Sequence, residues 1–131
     1  MTILIGYVPT PRGEAALTAG LDEAAARGDE VVLLNSPRRG QLVDGHLVDE
    51  ATEAGLVERA RALGVTLRVD RADHGADLVA AFSSAVEAND ARLVVIGVKR
   101  RSPVGKLVMG SDAQRLLLDL DVPILAVKPP R

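Results

Sequence analysis

Cysteine is absent from the 131 residues. Disulfides, thiolate nucleophiles and cysteine metal sites are thereby excluded, and a reducing compartment is compatible. Rings are almost as scarce: Tyr7 and Phe82 are the only aromatic residues besides two histidines, and there is no tryptophan. A platform for single-stranded nucleic acid needs several rings on which bases stack, so that class is not expected. Charge of one sign is missing too. Sixteen basic against 18 acidic residues leave a net charge of −2, which gives no field for a polyanion. No apolar run approaches the roughly 18 residues of a membrane span. Met1 leads straight into a short apolar segment without a basic stretch before it. Neither a membrane partner nor a secretory leader is expected, and the cytoplasm is the expected location.

What is present is 47% hydrophobic and 26% charged, the composition of a folded domain, and one domain over residues 1–131 is expected. Apolar runs at residues 2–8 (TILIGYV), 30–35 (EVVLLN), 92–97 (RLVVIG) and 123–128 (PILAVK) read as strands. Residues 65–69 (VTLRV) alternate, with Val65, Leu67 and Val69 on one side, which places this third strand at a sheet edge. Between the strands, helical periodicity predicts helices over 12–27, 49–63, 76–88 and 111–118. Their inward residues are Leu17, Leu21 and Ala24; Leu56, Ala60 and Leu63; Leu78, Phe82 and Ala85; and Ala113, Leu116 and Leu117. Strict alternation of strand and helix predicts a three-layer α/β/α fold, a doubly wound five-stranded parallel sheet. Right-handed crossovers favour strand order 3-2-1-4-5, Rossmann-like, which also leaves strand 3 at an edge. The sheet then reverses between strands 1 and 4. Ligands of such sheets bind beyond the strands' carboxyl ends at that reversal.

The stretch that leaves strand 4 at Ile96-Gly97 is GVKRRSPVGKLVMGS, residues 97–111. Lys99, Arg100, Arg101 and Lys106 give it four positive charges and no negative one. It closes on Gly110-Ser111 at the start of the fourth helix, where unpaired N–H groups and a partial positive charge suit phosphate. Ser after Gly is also an ordinary helix cap, and a basic loop is also an ordinary solvated loop. Gly105-Lys106 resembles part of a P-loop, but Arg100 stands where its first glycine belongs and Leu107 where its Mg²⁺-binding hydroxyl belongs. A Walker-type NTPase is rejected.

The stretch resembles the nucleotide signature of the universal stress protein family, G-x-x-G-x(9)-G-[ST]. Gly97 falls on the first glycine and Gly110-Ser111 on the closing pair, with Arg100 in place of the second glycine. Ile3-Leu4-Ile5 through Leu17 resembles the family's "ILVAVDGS…AL" opening, with Val8 where nucleotide-binding members carry Asp and Pro9-Thr10 in place of Gly-Ser. Val122-Pro123-Ile124-Leu125-Ala126-Val127 resembles the family's last strand. The resemblance implies the adenine nucleotide alpha hydrolase-like version of the fold and a regulatory module that binds ATP or AMP, with or without Mg²⁺, with little or no hydrolysis. Gly97, Gly110 and Ser111 would hold phosphate, Lys99 and Arg100 would be charge partners, and Tyr7, Val8 and Ser36 would border adenine and ribose mainly through backbone. Ile96 and Asp112 flank these positions and complete the expected site. The resemblance also implies a homodimer through the last strand, residues 123–128. Val8 and Arg100 favour a second reading, in which that dimer binds no nucleotide and serves as a scaffold or protein-interaction module.

Catalytic groups are harder to find. His46 and His74 have no partner at ligand spacing, so no metal site is expected. Asp70, Asp73 and Asp77 with Arg71 precede the third helix and read as its cap and a solvated turn. Ser83 and Ser84 have no nearby base, so no nucleophile–base–orienter set emerges and no enzyme is expected. The stretch from Ser36 to Val48, with Arg38 and Arg39, is long for a strand–helix connection and is expected to fold over the crevice.

Overall fold

A computed structural model of the chain describes residues 1–7, 10–34, 50–70, 77–98 and 111–129. Among the described residues nine elements alternate: β1 (Thr2–Gly6), α1 (Pro11–Arg27), β2 (Glu30–Leu34), α2 (Glu50–Ala62), β3 (Leu67–Asp70), α3 (Leu78–Asn89), β4 (Ala91–Gly97), α4 (Ser111–Asp119) and β5 (Ile124–Val127). The strands form one parallel sheet in the order β3-β2-β1-β4-β5. The expected fold and winding are those observed.

Burial explains why β1, β2 and β4 read as continuous apolar runs. Ile3 and Ile5 pack with Leu17, Leu21 and Ala24 of α1 and with Leu56 and Ala60 of α2. Leu4 and Val94 turn to the other face, against Phe82 and Ala85 of α3 and Leu116 of α4. A central parallel strand is therefore apolar at both parities, because helices cover both faces. At the edge, β3 keeps one buried side chain, Leu67, while Arg68 is exposed.

Local chemistry sets the boundaries. Thr10 caps α1, its hydroxyl accepting from the Gly13 N–H at 3.2 Å, and Pro11 opens the helix where no N–H is needed. Asp77 caps α3 as expected, accepting from the Ala80 N–H at 3.0 Å. Its second oxygen accepts from Arg115 of α4 at 2.7 Å. Asp70, by contrast, belongs to β3 and accepts from the Asn89 amide at 2.9 Å. Asp73 and Arg71 lie outside the described residues.

Three expectations need correction. The third strand begins at Leu67 rather than Val65, because Val65 is taken up by the end of α2. Gly64 turns left-handed (φ +76°). Its N–H donates to the Arg61 carbonyl and that of Val65 to the Ala60 carbonyl, both at 2.9 Å. Those paired bonds close a helix and hold Val65 against it. Leu63, expected inward, falls in this turn past the last helical residue and is 48% exposed. Leu117, also expected inward, is 39% exposed beside a fully engaged Leu116. α4 covers the rim of the sheet, where only a narrow stripe of the helix meets the core.

At the amino end of the sheet Asp29 is buried beside Arg92, which donates from Nε at 2.8 Å and from a second guanidinium nitrogen to the same oxygen. The Met1 ammonium lies 3.3 Å from the other oxygen. The Arg92 bonds hold the Asp29 carboxyl below the usual carboxylate range, against the opposing effect of burial, with further help from the Met1 ammonium. This pair ties the start of β4 to the α1–β2 turn.

Candidate functional site

The winding brings the carboxyl ends of β1 and β4 side by side, with Ile5 in register with Val95. The four described helices all start from this end of the parallel sheet, and the two that follow the paired strands are α1 after β1 and α4 after β4. Partial positive charge from both gathers at the crevice.

Among the expected site residues, Gly97 has the most constrained surroundings. A Cβ there would meet the Arg12 carbonyl oxygen at 2.1 Å, its carbonyl carbon at 2.6 Å and the Arg12 Cβ at 2.9 Å. The first turn of α1 rests directly on the end of β4, and only glycine permits that approach. Ile96 is 5% exposed and packs into the α3–α4 side of the core, so its side chain is spent on the fold. Val98, just beyond, donates its N–H to the Val127 carbonyl at 2.8 Å and extends the β4–β5 pairing past the last strand residue. Ser111 and Asp112 open α4, as expected from the sequence. Val8, Ser36, Lys99, Arg100 and Gly110 lie outside the described residues, as do Arg38, Arg39, His46 and His74.

Tyr7 follows β1, and its N–H donates to the Leu34 carbonyl at 3.2 Å, joining the ends of β1 and β2. Its ring turns into the α1–α2 side of the core and is 3% exposed. A buried phenol needs a partner. Tyr7 donates its hydroxyl to Glu14 Oε1 at 2.7 Å. Arg59 of α2 donates to Glu14 Oε2 at 2.9 Å and to the Thr18 hydroxyl at 2.9 Å. Burial first, then the Glu14 hydrogen bond and charge, push the Tyr7 phenol up to about 12, with Arg59 opposing. Burial would raise the Glu14 carboxyl, but hydrogen bonds from Tyr7 and Arg59 outweigh it and the group lies below its usual range. The sequence reading missed Glu14, Thr18 and Arg59. One signal was available: a lone hydroxyl inside an apolar run must find a partner. Which partner was not readable, because Arg59 is 45 residues from Glu14.

A cleft of about 520 Å³ runs along α1, between Pro11, Ala15 and Ala19 and the end of β5 at Val127, and Thr18 also lines it. Glu14 and Asp22 stand at its rim. It lies toward the β5 edge rather than between β1 and β4. Among the described residues there is no cluster of three metal-ligating side chains, and no helix long and apolar enough to cross a membrane.

A model of the universal stress protein family matches residues 1–128. The chain belongs to the universal stress protein family. A universal stress protein of Mycolicibacterium smegmatis is 36% identical over 127 residues, covering 97% of each chain. Among solved structures, a universal stress protein from Archaeoglobus fulgidus superposes with a TM-score of 0.76 at 26% identity, covering 97% of each chain. Another Archaeoglobus fulgidus structure, of the universal stress protein in complex with dAMP, gives a TM-score of 0.69 at 21% identity over 97% of this chain and 96% of that one. Family membership rests on the matched length, and the fold of these relatives is the fold described above.

Proposed function

We propose that this chain is a single-domain regulatory module that binds an adenine nucleotide, ATP or AMP, in the crevice between β1 and β4, with little or no hydrolysis. The observation that carries this reading is the approach of α1 to Gly97. It brings a helix amino terminus onto the end of β4, at the sheet reversal, and a relative of the same fold was solved in complex with dAMP. In this reading Gly97, Gly110 and Ser111 hold phosphate, with Lys99 and Arg100 as charge partners and Mg²⁺ as an optional companion of ATP. Ile96 and Asp112 flank them. Tyr7, Val8 and Ser36 border adenine and ribose mainly through backbone. A cytoplasmic setting suits a chain without cysteine. Calorimetric titration with ATP, AMP and cyclic AMP, with and without Mg²⁺, tests the reading. Micromolar binding that Gly110→Val or Ser111→Ala weakens supports it; no binding at millimolar nucleotide overturns it.

The β5 edge favours a second component, a homodimer through residues 123–128. Leu125 is 38% exposed on β5, and Leu117 and Leu118 of α4 are 39% and 82% exposed nearby in the chain. An apolar edge strand without cover invites pairing with a second copy. Sedimentation of the wild type and of Leu125→Lys tests this: a dimer that the variant converts to monomer supports it. A dimer without nucleotide affinity would favour the scaffold reading.

A further inference from the structure

The hydrogen-bond chain from Tyr7 through Glu14 to Arg59 crosses three elements: the end of β1, the first turn of α1 and the last turn of α2. Both Glu14 oxygens are used, one by each neighbour, so the carboxylate links them. Arg59 adds a second bond to α1 at Thr18, which fixes the guanidinium plane. α2 is lightly buried. Of its 13 residues only Leu56 and Ala60 are buried, with Val57 packed partly against the same core. A helix with so few buried contacts lies at the low-stability end of a fold, where even a half-exposed ion pair shifts how often it opens. The other end of the chain is not peripheral. Tyr7 is the residue at which β1 enters the crevice, and its backbone also holds the end of β2.

We propose that Tyr7, Glu14 and Arg59 form a latch that couples occupancy of the β1–β4 crevice to the docking of α2, making α2 the surface on which ligand state is displayed. The coupling rests on the nucleotide reading above. A ligand that immobilises the end of β1 removes part of the ordering cost of the phenol–carboxylate bond, and the carboxylate then holds Arg59 for a larger fraction of time. Tyr7, Glu14 and Arg59 act as positioning residues, since their side chains bond to one another rather than to the ligand.

Hydrogen exchange on the full chain, read by mass spectrometry with AMP as the probe, tests the latch. In the ligand-free protein, Tyr7→Phe and Arg59→Gln should each speed exchange in α2 several-fold, and the double variant should be no faster than either single one. Saturating AMP should slow exchange at the ends of β1 and β4 and in α2 of the wild type. In Arg59→Gln the AMP affinity should stay within about twofold, less than 0.5 kcal/mol, while the slowing in α2 disappears. Equal slowing of α2 in Arg59→Gln, or additive effects in the double variant, overturns the latch. AMP that slows the strand ends but never α2 refutes the coupling alone, whereas AMP that slows no amide refutes the nucleotide reading and the coupling with it.

Discussion

Replacing Gly97 by Ala tests whether the glycine at the end of β4 is there for packing. Two effects compete. Giving a strand glycine a methyl group normally stabilises by about 0.5–1 kcal/mol, because the unfolded chain loses freedom. Here the new Cβ would sit 2.1 Å from the Arg12 carbonyl oxygen, against a floor of 3.0 Å for real Cβ contacts. The first turn of α1 must therefore retreat by about 1 Å, and a shift of that size is overpacking, which costs about 1–3 kcal/mol. No side chain can swing aside to relieve it, because the obstacle is backbone. That backbone is held by the Thr10 cap at 3.2 Å and by the Glu14 N–H donating to the Thr10 carbonyl at 2.8 Å. The clash wins, and the net expectation is destabilisation of about 0.5–2 kcal/mol. Urea unfolding should show a lower midpoint with an unchanged slope. AMP affinity should fall about tenfold or more as the crevice wall moves. A midpoint equal to or above that of the wild type would refute the reasoning, since α1 would then have had room to spare.

Gly55 is the matched control: it lies in α2 with nothing within 4 Å of an added Cβ. Gly55→Ala should therefore raise stability by about 0.5–1 kcal/mol in the same urea assay. Tyr7 is the only tyrosine in a chain without tryptophan, so the phenolate absorbance band reports it alone. Its midpoint should lie near 12, and Glu14→Gln should bring it down while burial keeps it above 10, the ordinary value of a phenol. Because the folded value is raised, the neutral phenol's stabilisation is complete below about pH 10 and is lost as pH rises toward the folded value, so alkaline unfolding should begin in that window. Asp29 has the opposite sign: its folded value is depressed. Its contribution is present above about pH 4 and fades as pH falls through the folded value. Asp29→Ala should cost about 2–4 kcal/mol at neutral pH by stranding Arg92, and should flatten the acid limb of the stability profile.

The winding was legible because two periods carried it. Continuous apolar runs marked β1, β2 and β4 as covered on both faces, and the alternation of Leu67, Arg68 and Val69 marked an edge. The misreadings sit where a residue's role is set by the turn it belongs to. Val65 continues the alternating pattern in sequence, yet its N–H is claimed by the Ala60 carbonyl. Leu117 has the right spacing for a core position, but burial there depends on whether a layer lies beyond the rim, which periodicity does not encode. Tyr7 stands just past the end of β1, as its place in the apolar run implied, but its side-chain partner was out of reach of the sequence. The bond to Glu14 spans seven residues through a helix start, and the next bond spans 45.

Gly97 shows why a signature residue needs both descriptions. In the proposed nucleotide reading it would be a glycine beside phosphate; in this fold it is a glycine beneath the Arg12 carbonyl. The two demands coincide because the turn that presses on β4 is the one that presents the α1 amino terminus to the crevice. Loss of nucleotide binding in Gly97→Ala would therefore not separate contact from packing. Ser111→Ala is expected to separate them. At the start of a helix it removes at most a cap worth about 1 kcal/mol. An affinity loss larger than its stability loss in that variant would assign Ser111 to the ligand. Equal losses would leave it a helix cap and return the phosphate contact to backbone.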